Sequence, residues 1–217
     1  MQRVRTAGHA YRYRMLRTRV RRLARILRAD AAPPQWLLQS LVTCWANPWS
    51  VDSVFLTSML HWLQETSGPV LECGSGLTTI VLATAASSTG RRSLSLEQDE
   101  RFEGRLAPAL PRRIRPWMDC KVVPLVSYGE FDWYDVETVP LPKRVGFVVC
   151  DGPPGTARGG RYGLVPLLKD QLAPGCIVLI DDTNRAAERG IVDRWYTELP
   201  ARIIEQTERH IAILKVA

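Results

Sequence analysis

A glycine turn near residue 74 has the residue types of a binding site for a charged organic ligand. It reads Glu72-Cys73-Gly74-Ser75-Gly76 and lies between a short apolar run and a Leu-, Ile- and Ala-rich stretch that predicts a helix. Free amides at a helix N-terminus attract an anionic group, and glycines let the backbone approach it closely. A dinucleotide-binding turn would have its third glycine at Thr79, and Glu72 would repel a phosphate and attract an amino group. The turn therefore predicts a site for a zwitterion.

A second acidic position lies 21 residues after Gly76, at the end of an alternating polar and apolar stretch that predicts a strand. It is Glu97, and Gln98 follows it. The two oxygens of one carboxylate can accept hydrogen bonds from the two neighbouring hydroxyls of a ribose. We therefore interpret Glu97 as a sugar-binding residue, whereas Asp99 is better placed to cap the next helix.

Acidic residues also follow two apolar strand-like stretches in the second half of the chain. Asp151 precedes a Gly-Pro-Pro turn, and it could bind an amino group, act as a general base on a hydroxyl, bind a metal ion, or only form a structural turn. Asp181 and Asp182 could join Asp151 around Mg²⁺, although Asp182 could equally cap the following helix. Arg161 and Tyr162 could hold an anionic substrate.

These positions together, over residues 68–217, resemble the class I S-adenosylmethionine-dependent methyltransferases. The resemblance is carried by Glu72, Gly74, Gly76, Glu97, Asp151, Asp181 and Asp182. It implies that S-adenosylmethionine is the cofactor, with its methionine part on the glycine turn, including Ser75, and its ribose on Glu97 beside Gln98. Adenine contacts of the family follow the third strand, where this chain offers Ser127.

The resemblance also assigns chemistry to the aspartates. Asp151 falls where methyl donor and acceptor meet in this fold, which implies a catalytic role for Asp151 and for the neighbouring Asp182. Asp151 with Asp181 or Asp182 resembles the magnesium-binding carboxylates of catechol-type O-methyltransferases, which makes Mg²⁺ a second cofactor to test. Those enzymes have Asp-Asn where this chain has Asp-Asp.

The elements that position these residues alternate along the chain, which is typical of an α/β fold. We predict a doubly wound, mostly parallel seven-stranded sheet with a C-terminal antiparallel hairpin strand, preceded by N-terminal helices. The predicted strands after the turn are 92–96, 120–126, 145–150, 175–180, 202–207 and 211–216. The predicted helices include 35–45, 53–65, 77–86 and 185–199.

Positive charge is concentrated at the start of the chain. Residues 1–30 contain ten arginines and one aspartate, whereas the remaining 19 basic and 21 acidic residues nearly cancel. Leucine and valine recur there at helical spacing, so the sequence predicts a basic amphipathic extension over 1–32, a helical cap over 33–67 and the cofactor-binding domain over 68–217. The extension could bind anionic lipid, nucleic acid or an acidic partner, or it could dock its leucine edge on the domain. A mitochondrial presequence is disfavoured because the stretch contains little serine.

Composition predicts a cytoplasmic protein. Five scattered cysteines form no Cys-x-x-Cys pair, which indicates reduced thiols, and neither a secretory signal nor a bilayer-length apolar run is visible. The four tryptophans of the helical cap are predicted to be core residues, and His210 is predicted to lie in a surface turn. The four are Trp36, Trp45, Trp49 and Trp62.

The sequence thus predicts O-methylation of a small-molecule or sugar-like acceptor, with Asp151 or a metal ion removing the proton of the acceptor. One alternative is an aminopropyltransferase-like enzyme, although Arg158 and Arg161 disfavour a polyamine. The other is a non-enzymatic protein that binds nucleic acid or a membrane surface through residues 1–30. The partners that the sequence allows are the acceptor, an anionic surface or nucleic acid at residues 1–30, and a second copy of the chain in a homo-oligomer.

Overall fold

The structure is a computed structural model that describes residues 2–215, and the side chains of residues 2–9 and 214 lie outside that description. Helices and strands alternate through most of it. The α-helices are α1 Gln2–Arg28, α2 Gln35–Trp45, α3 Ser53–Glu65, α4 Leu77–Thr89, α5 Glu100–Ala109, α6 Leu164–Leu168 and α7 Ala186–Glu198. The strands are β1 Val70–Cys73, β2 Ser93–Glu97, β3 Cys120–Val122, β4 Leu125–Ser127, β5 Asp132–Tyr134, β6 Val145–Cys150, β7 Leu172–Ile180, β8 Ala201–Gln206 and β9 Ile211–Lys215.

Seven strands form one sheet in the order β3-β2-β1-β6-β7-β9-β8. All neighbouring pairs from β3 to β7 are parallel, whereas β9 is antiparallel to both β7 and β8. This topology confirms the predicted mostly parallel sheet and its C-terminal antiparallel hairpin. In register, Cys73 lies opposite Leu96 on one side and Cys150 on the other, and Cys150 lies opposite Ile180. The residues that follow β1, β2, β6 and β7 therefore meet at one edge of the sheet.

Each face of the sheet is covered by its own core. Helices α3, α4 and α5 contribute to the core on one face, with α1 and α2 packed outside them, whereas α6, α7 and the β4–β5 hairpin contribute to the core on the other face. Helix α4 is buried almost all round, with every residue from Leu77 to Ala86 buried. A helix that is apolar on all sides needs cover on all sides, so α4 requires a layer beyond the sheet.

Helix α1 supplies that layer. Its leucine edge is buried in the same core as α4, with no exposed surface at Leu16, Val20 or Leu23. The hydroxyl of Ser88, near the end of α4, donates to the carbonyl of Ala24 at 3.3 Å. The arginines of α1 between these positions remain on the outer side, which separates an apolar docking edge from a basic surface.

The third strand of the sheet is shorter than the predicted strand 120–126. It ends at Val122, and Pro124, which has no backbone N–H to donate to a ladder, follows almost at once. Ser127 instead ends β4, which pairs with β5 in a separate two-stranded sheet. The sequence analysis therefore joined two strands that belong to different sheets.

Three predictions about single residues were also wrong. Trp36 and Trp49 are 51% and 75% exposed, so they are not core residues, although Trp45 is buried. His210 is fully buried rather than a surface residue, because its ring lies against Phe55 and near the Ser58 hydroxyl.

The five cysteines are free thiols, as predicted. Within residues 2–215, no helix has the length and apolarity needed to cross a bilayer.

Candidate active site

A cavity of about 820 Å³ opens at the carboxyl ends of β1, β2, β6 and β7. This is the edge where ligands bind in open α/β sheets, and the volume is typical of a site for a small organic ligand. One half of the cavity is formed by the glycine turn and the end of β2, and the other half by the ends of β6 and β7. A loop between α2 and α3 forms part of its wall. The lining includes Asn47, Trp49, Gly74, Ser75, Gly76, Glu97, Gln98, Phe102, Asp151, Arg161, Asp181, Asp182, Arg185 and Arg209.

The two glycines of the turn are required for different reasons. Gly74 has a φ of +91°, and a Cβ there would approach the amide nitrogen of Gly152 to 3.0 Å, so this glycine lets β1 and β6 end side by side. Gly76 has an extended φ of 164°, and a Cβ there would meet no protein atom within 4 Å. Because Gly76 lines the cavity, the space that its missing side chain leaves belongs to the cavity. The turn thus offers a ligand close access to the first turn of α4.

Glu97 is held rigidly at the end of β2. One carboxylate oxygen, Oε2, accepts from the Ser75 hydroxyl at 2.5 Å, and the other, Oε1, accepts from the Asp99 amide at 2.9 Å. Burial raises the pKa of Glu97, and these hydrogen bonds oppose the increase. Each oxygen has a further lone pair, so the fixed carboxylate can still accept from two neighbouring hydroxyls of a ligand.

Glu72 lies beneath the turn rather than in the cavity. It is fully buried, and its Oε2 accepts from the hydroxyls of Thr79, at 2.8 Å, and Ser95. Thr79 in turn accepts from the Gly76 amide at 2.9 Å, so the acid fixes the shape of the turn through Thr79. Burial raises the pKa of Glu72 to about 7, and Oε1 has no partner in the described structure. Glu72 was predicted to meet the ligand, whereas the structure places its carboxylate one layer below the cavity.

Asp151, Asp181 and Asp182 converge on the other half of the cavity, with one carboxylate oxygen of each within 4.8 Å of the others. Asp182 has a φ of +61°, a conformation that aspartate tolerates better than most residues. Burial raises the pKa of Asp151 to about 8, and the charge of Arg161 opposes this increase. An acid of this kind, at the end of a strand in a cavity, is suited to proton transfer near neutral pH.

Arg161 is the counter-ion of this acidic cluster. Its Nη2 lies 2.9 Å from Asp151 Oδ1 and 2.9 Å from Asp182 Oδ2, and its side chain is only 4% exposed. It also donates to the backbone carbonyls of Asp151 and Asp181, at 2.8 and 2.7 Å. The sequence analysis placed Arg161 on the substrate, but its donors are directed to these aspartates. The geometry therefore makes Arg161 a positioning residue.

The same arrangement does not fit Mg²⁺. A divalent cation needs the carboxylate oxygens for itself, and here a guanidinium contacts Asp151 and Asp182 directly. Arg185 lies 3.0 Å from Asp182 Oδ2, and Arg209 lies 3.5 Å from Asp181 Oδ2. A metal ion among these carboxylates would be repelled by adjacent fixed positive charges.

Two other predicted site residues lie outside the cavity lining. The Tyr162 hydroxyl donates to Glu198, and the Tyr162 ring packs edge-on against Phe131. Tyr162 therefore belongs to the core that α6, α7 and the β4–β5 hairpin form. Ser127 is exposed on β4, where its hydroxyl accepts from Arg158 at 2.7 Å. Neither residue is placed to contact a ligand in the cavity.

Several lining residues were missed by the sequence analysis. Asn47 and Trp49 come from the loop before α3, and Arg185 and Arg209 come from the rim beyond β7 and from the β8–β9 turn. An isolated tryptophan in a loop without helical periodicity was the available signal for Trp49. Arg209 lies in a hairpin turn more than 50 residues after Asp151, and only the antiparallel placement of β9 beside β7 brings it to the cavity.

Comparison with solved structures supports the mostly parallel α/β fold described above. No protein-family model and no curated protein sequence matches the chain. Among solved structures, an O-methyltransferase from Bacillus cereus in complex with SAH matches with a TM-score of 0.56 and 14% identity, over 91% of this chain and 90% of that chain. The O-methyltransferase TomG from Streptomyces achromogenes, involved in tomaymycin synthesis and in complex with SAM, gives 0.54 and 13%, over 84% and 89%. A methyltransferase from Pyrococcus furiosus gives 0.51 and 20%, over 78% and 86%.

The chain therefore has the class I, Rossmann-like fold of S-adenosylmethionine-dependent methyltransferases. At these identities the likeness concerns the fold, and activity has to be argued from the cavity.

Proposed function

We propose that this protein transfers the methyl group of S-adenosylmethionine to an oxygen atom of a small-molecule or sugar-like acceptor. The observation that carries the proposal is one continuous cavity that combines a rigid carboxylate at the end of β2 with an acid of raised pKa at the end of β6. The first suits a ribose, and the second suits removal of a proton from a hydroxyl.

The half of the cavity between β1 and β2 would hold the cofactor. Glu97 would accept from the ribose hydroxyls, and the open space at Gly76 would admit the methionine part against the first turn of α4. Gln98 and Phe102 flank Glu97 in the lining and would contact the adenine, the role that the sequence resemblance gave to Ser127. When bound, the cofactor supplies an electrophilic methyl group on a sulfonium.

The half between β6 and β7 would hold the acceptor. Asp151 accepts the proton of the acceptor hydroxyl, and it can do so only in its ionised form. Arg161 holds the carboxylates of Asp151 and Asp182 in place, so that Asp182 can accept a second hydrogen bond from the acceptor. In-line transfer then depends mainly on the fixed distance between the two halves of the cavity.

The charge of the acceptor half favours this proposal over aminopropyl transfer. Arg161, Arg185 and Arg209 all line it. A polyamine acceptor would be repelled by these cations, whereas a neutral hydroxylated acceptor would not.

The proposal is tested by isothermal titration of the full chain with S-adenosylmethionine and S-adenosylhomocysteine. We expect micromolar binding by the wild type, lost by at least tenfold in Glu97→Gln because a neutral amide offers one acceptor where the carboxylate offers two. The matched control is Glu100→Gln, the same change at an exposed residue outside the cavity lining. A folded wild type that binds neither compound would contradict the proposal.

The acceptor class is then tested by screening hydroxylated small molecules and sugars for release of S-adenosylhomocysteine. We expect mass spectrometry of the product to place the methyl group on oxygen. Methylation on nitrogen or carbon would overturn the assignment of the acceptor and leave the assignment of the cofactor intact.

A further inference from the structure

A second concave surface lies between α1 and the segment that connects α5 to β3. It is a groove of about 760 Å³ whose lining contains seven arginines and no acidic residue. Four of them come from α1 and three from the connecting segment, so both walls are basic. They are Arg17, Arg21, Arg25, Arg28, Arg112, Arg113 and Arg115. We call this surface the arginine groove.

The arginine groove shares no lining residue with the cavity. Helices α4 and α5 both begin beside the cavity, and the groove adjoins the last turns of both, where Arg17 donates to the Pro108 carbonyl at 2.8 Å. Along α5, Phe102 lines the cavity and Leu110 lines the arginine groove, and at 1.5 Å per residue these eight positions correspond to about 12 Å. The arginine groove is therefore a separate feature of the molecule, and the methyl-transfer proposal does not account for it.

No side chain that the structure describes forms an ion pair with an arginine of the arginine groove. The ion pairs between described side chains involve other arginines, for example Arg101, Arg161 and Arg209. Among hydrogen bonds between described residues, Arg17 and Arg115 of the groove donate to the backbone carbonyls of Pro108 and Leu110. Like charges gathered in a groove repel one another, so an anionic ligand would be stabilised there.

The types and spacing of these residues narrow the choice of ligand. All seven cations are arginine, whose planar guanidinium binds phosphate through two parallel hydrogen bonds. Arg17, Arg21 and Arg25 follow one another at intervals of four residues, which places them about 6 Å apart along α1. A regular row of phosphate-binding groups matches a ligand with regularly repeated phosphates.

The shape favours a nucleic-acid strand over a membrane surface. A bilayer binds an amphipathic helix through its apolar face, and here Leu16, Val20 and Leu23 are buried in the core and cannot insert. A flat surface would also touch only the rim of a groove, whereas a strand can lie between two basic walls. We propose that the arginine groove binds the phosphodiester backbone of a single-stranded nucleic acid.

The test measures binding of a fluorescent single-stranded RNA of about 12 nucleotides to the full chain by anisotropy over a range of salt concentrations. We compare Arg21→Gln/Arg25→Gln/Arg113→Gln with Arg12→Gln/Arg14→Gln/Arg92→Gln. All six arginines are exposed and the net charge changes equally, but only the first set lines the groove. We expect the groove variant to bind at least tenfold more weakly and the control variant to change by less than twofold. Because each phosphate contact contributes about 0.7 to the slope of log K against log salt, the groove variant should lose about 2 from that slope.

Binding to vesicles that contain anionic lipid and, in a separate experiment, binding to free pyrophosphate are measured with the same variants. Equal losses in the two variants would show non-specific attraction and overturn the proposal, and so would binding to vesicles without binding to RNA. Titration of the groove variant with S-adenosylhomocysteine should give wild-type affinity, which separates failure of this proposal from failure of the methyltransferase assignment.

Discussion

Replacing Arg161 with methionine tests the central electrostatic feature of the candidate site. The guanidinium is 4% exposed and contacts the carboxylates of Asp151 and Asp182, both at 2.9 Å. Methionine fills a similar volume without charge or donors. The variant would leave two carboxylates, and the nearby Glu188, without their shared cation.

The expected cost follows from this burial. Removing one partner of a buried ion pair typically costs about 3–5 kcal/mol, because the remaining charge is left uncompensated. We expect a loss of about 4 kcal/mol in the free energy of unfolding near pH 8. The loss should be smaller at low pH, because without Arg161 the folded-state pKa of Asp151, which burial already raises to about 8, rises further above its unfolded value. Stability from such groups is present below the unfolded pKa and is lost as pH rises through the folded pKa.

Urea unfolding at low and at slightly alkaline pH would measure this difference. The matched control is Arg158→Met, the same substitution at an arginine that is 53% exposed and pairs with Asp132 on the surface. Such a pair contributes less than about 1 kcal/mol.

A second experiment measures the effect of Mg²⁺ on the stability of the wild type and of Arg161→Met. The candidate ligands are the carboxylate oxygens of Asp151, Asp181 and Asp182, which lie within 4.8 Å of one another. Removing the guanidinium of Arg161 takes away one of the three arginines that contact the cluster, so Mg²⁺ should stabilise the variant more than the wild type.

Two results would refute this reasoning. If Arg161→Met lost no more stability than Arg158→Met, the guanidinium would not be neutralising buried carboxylates. If Mg²⁺ stabilised the wild type as much as the variant, the arginine would not be incompatible with a metal ion in the cluster.

Three further predictions concern the cavity and the buried carboxylate beneath its glycine turn. Asp151→Asn should lower kcat by about 10²–10⁴-fold. Wild-type kcat should rise with pH and reach half of its maximum near pH 8, because only the ionised carboxylate accepts a proton; a flat pH–rate profile would argue against this base. Burial raises the pKa of Glu72 from 4.5 to about 7, so the free energy of unfolding should fall by about 3 kcal/mol as the pH rises from about 4.5 to about 7. Calorimetry between these pH values should find this loss of stability in the wild type and not in Glu72→Gln. Gly76→Ala should leave the melting temperature near that of the wild type and weaken cofactor binding. Gly152→Ala should destabilise the fold, because its Cβ would lie 2.7 Å from the Gly74 Cα. The reverse pattern in melting and titration experiments would contradict the roles of the two glycines.

Local patterns in the sequence were sufficient for most of the fold. The strand 145–150 and the helices 35–45 and 53–65 were predicted with the bounds that the structure gives. The strand is a short, continuous apolar run, and the helices combine helical periodicity with Pro34 or Asp52 at their starts. The error at the third strand arose where a proline interrupts an apolar run and the next strand joins a different sheet. Nothing in the run 120–126 distinguishes a continued strand from two short ones except Pro124.

The candidate site was predicted less completely, for a physical reason. Glu97 ends β2 and Asp151 directly follows β6, so the topology of the sheet alone places them at the cavity. The role of Arg161 depends on three elements meeting around one side chain, and local sequence does not encode that meeting. The burial of His210 likewise depends on α3, whose Ser58 and Phe55 contact the imidazole across the sheet edge.

Helix α1 connects the fold to the proposed nucleic-acid surface. Its buried leucine edge covers an α4 that is apolar on all sides, so deletion of residues 1–30 would expose core surface as well as remove charge. Loss of binding in such a deletion could not distinguish an unfolded core from a missing ligand contact. Substitution of exposed arginines leaves the leucine edge in place, since Arg21 and Arg25 point away from the core that Leu16 and Val20 join. The two proposals can therefore be tested separately in one folded protein, because the cavity and the arginine groove lie at opposite ends of α4 and α5.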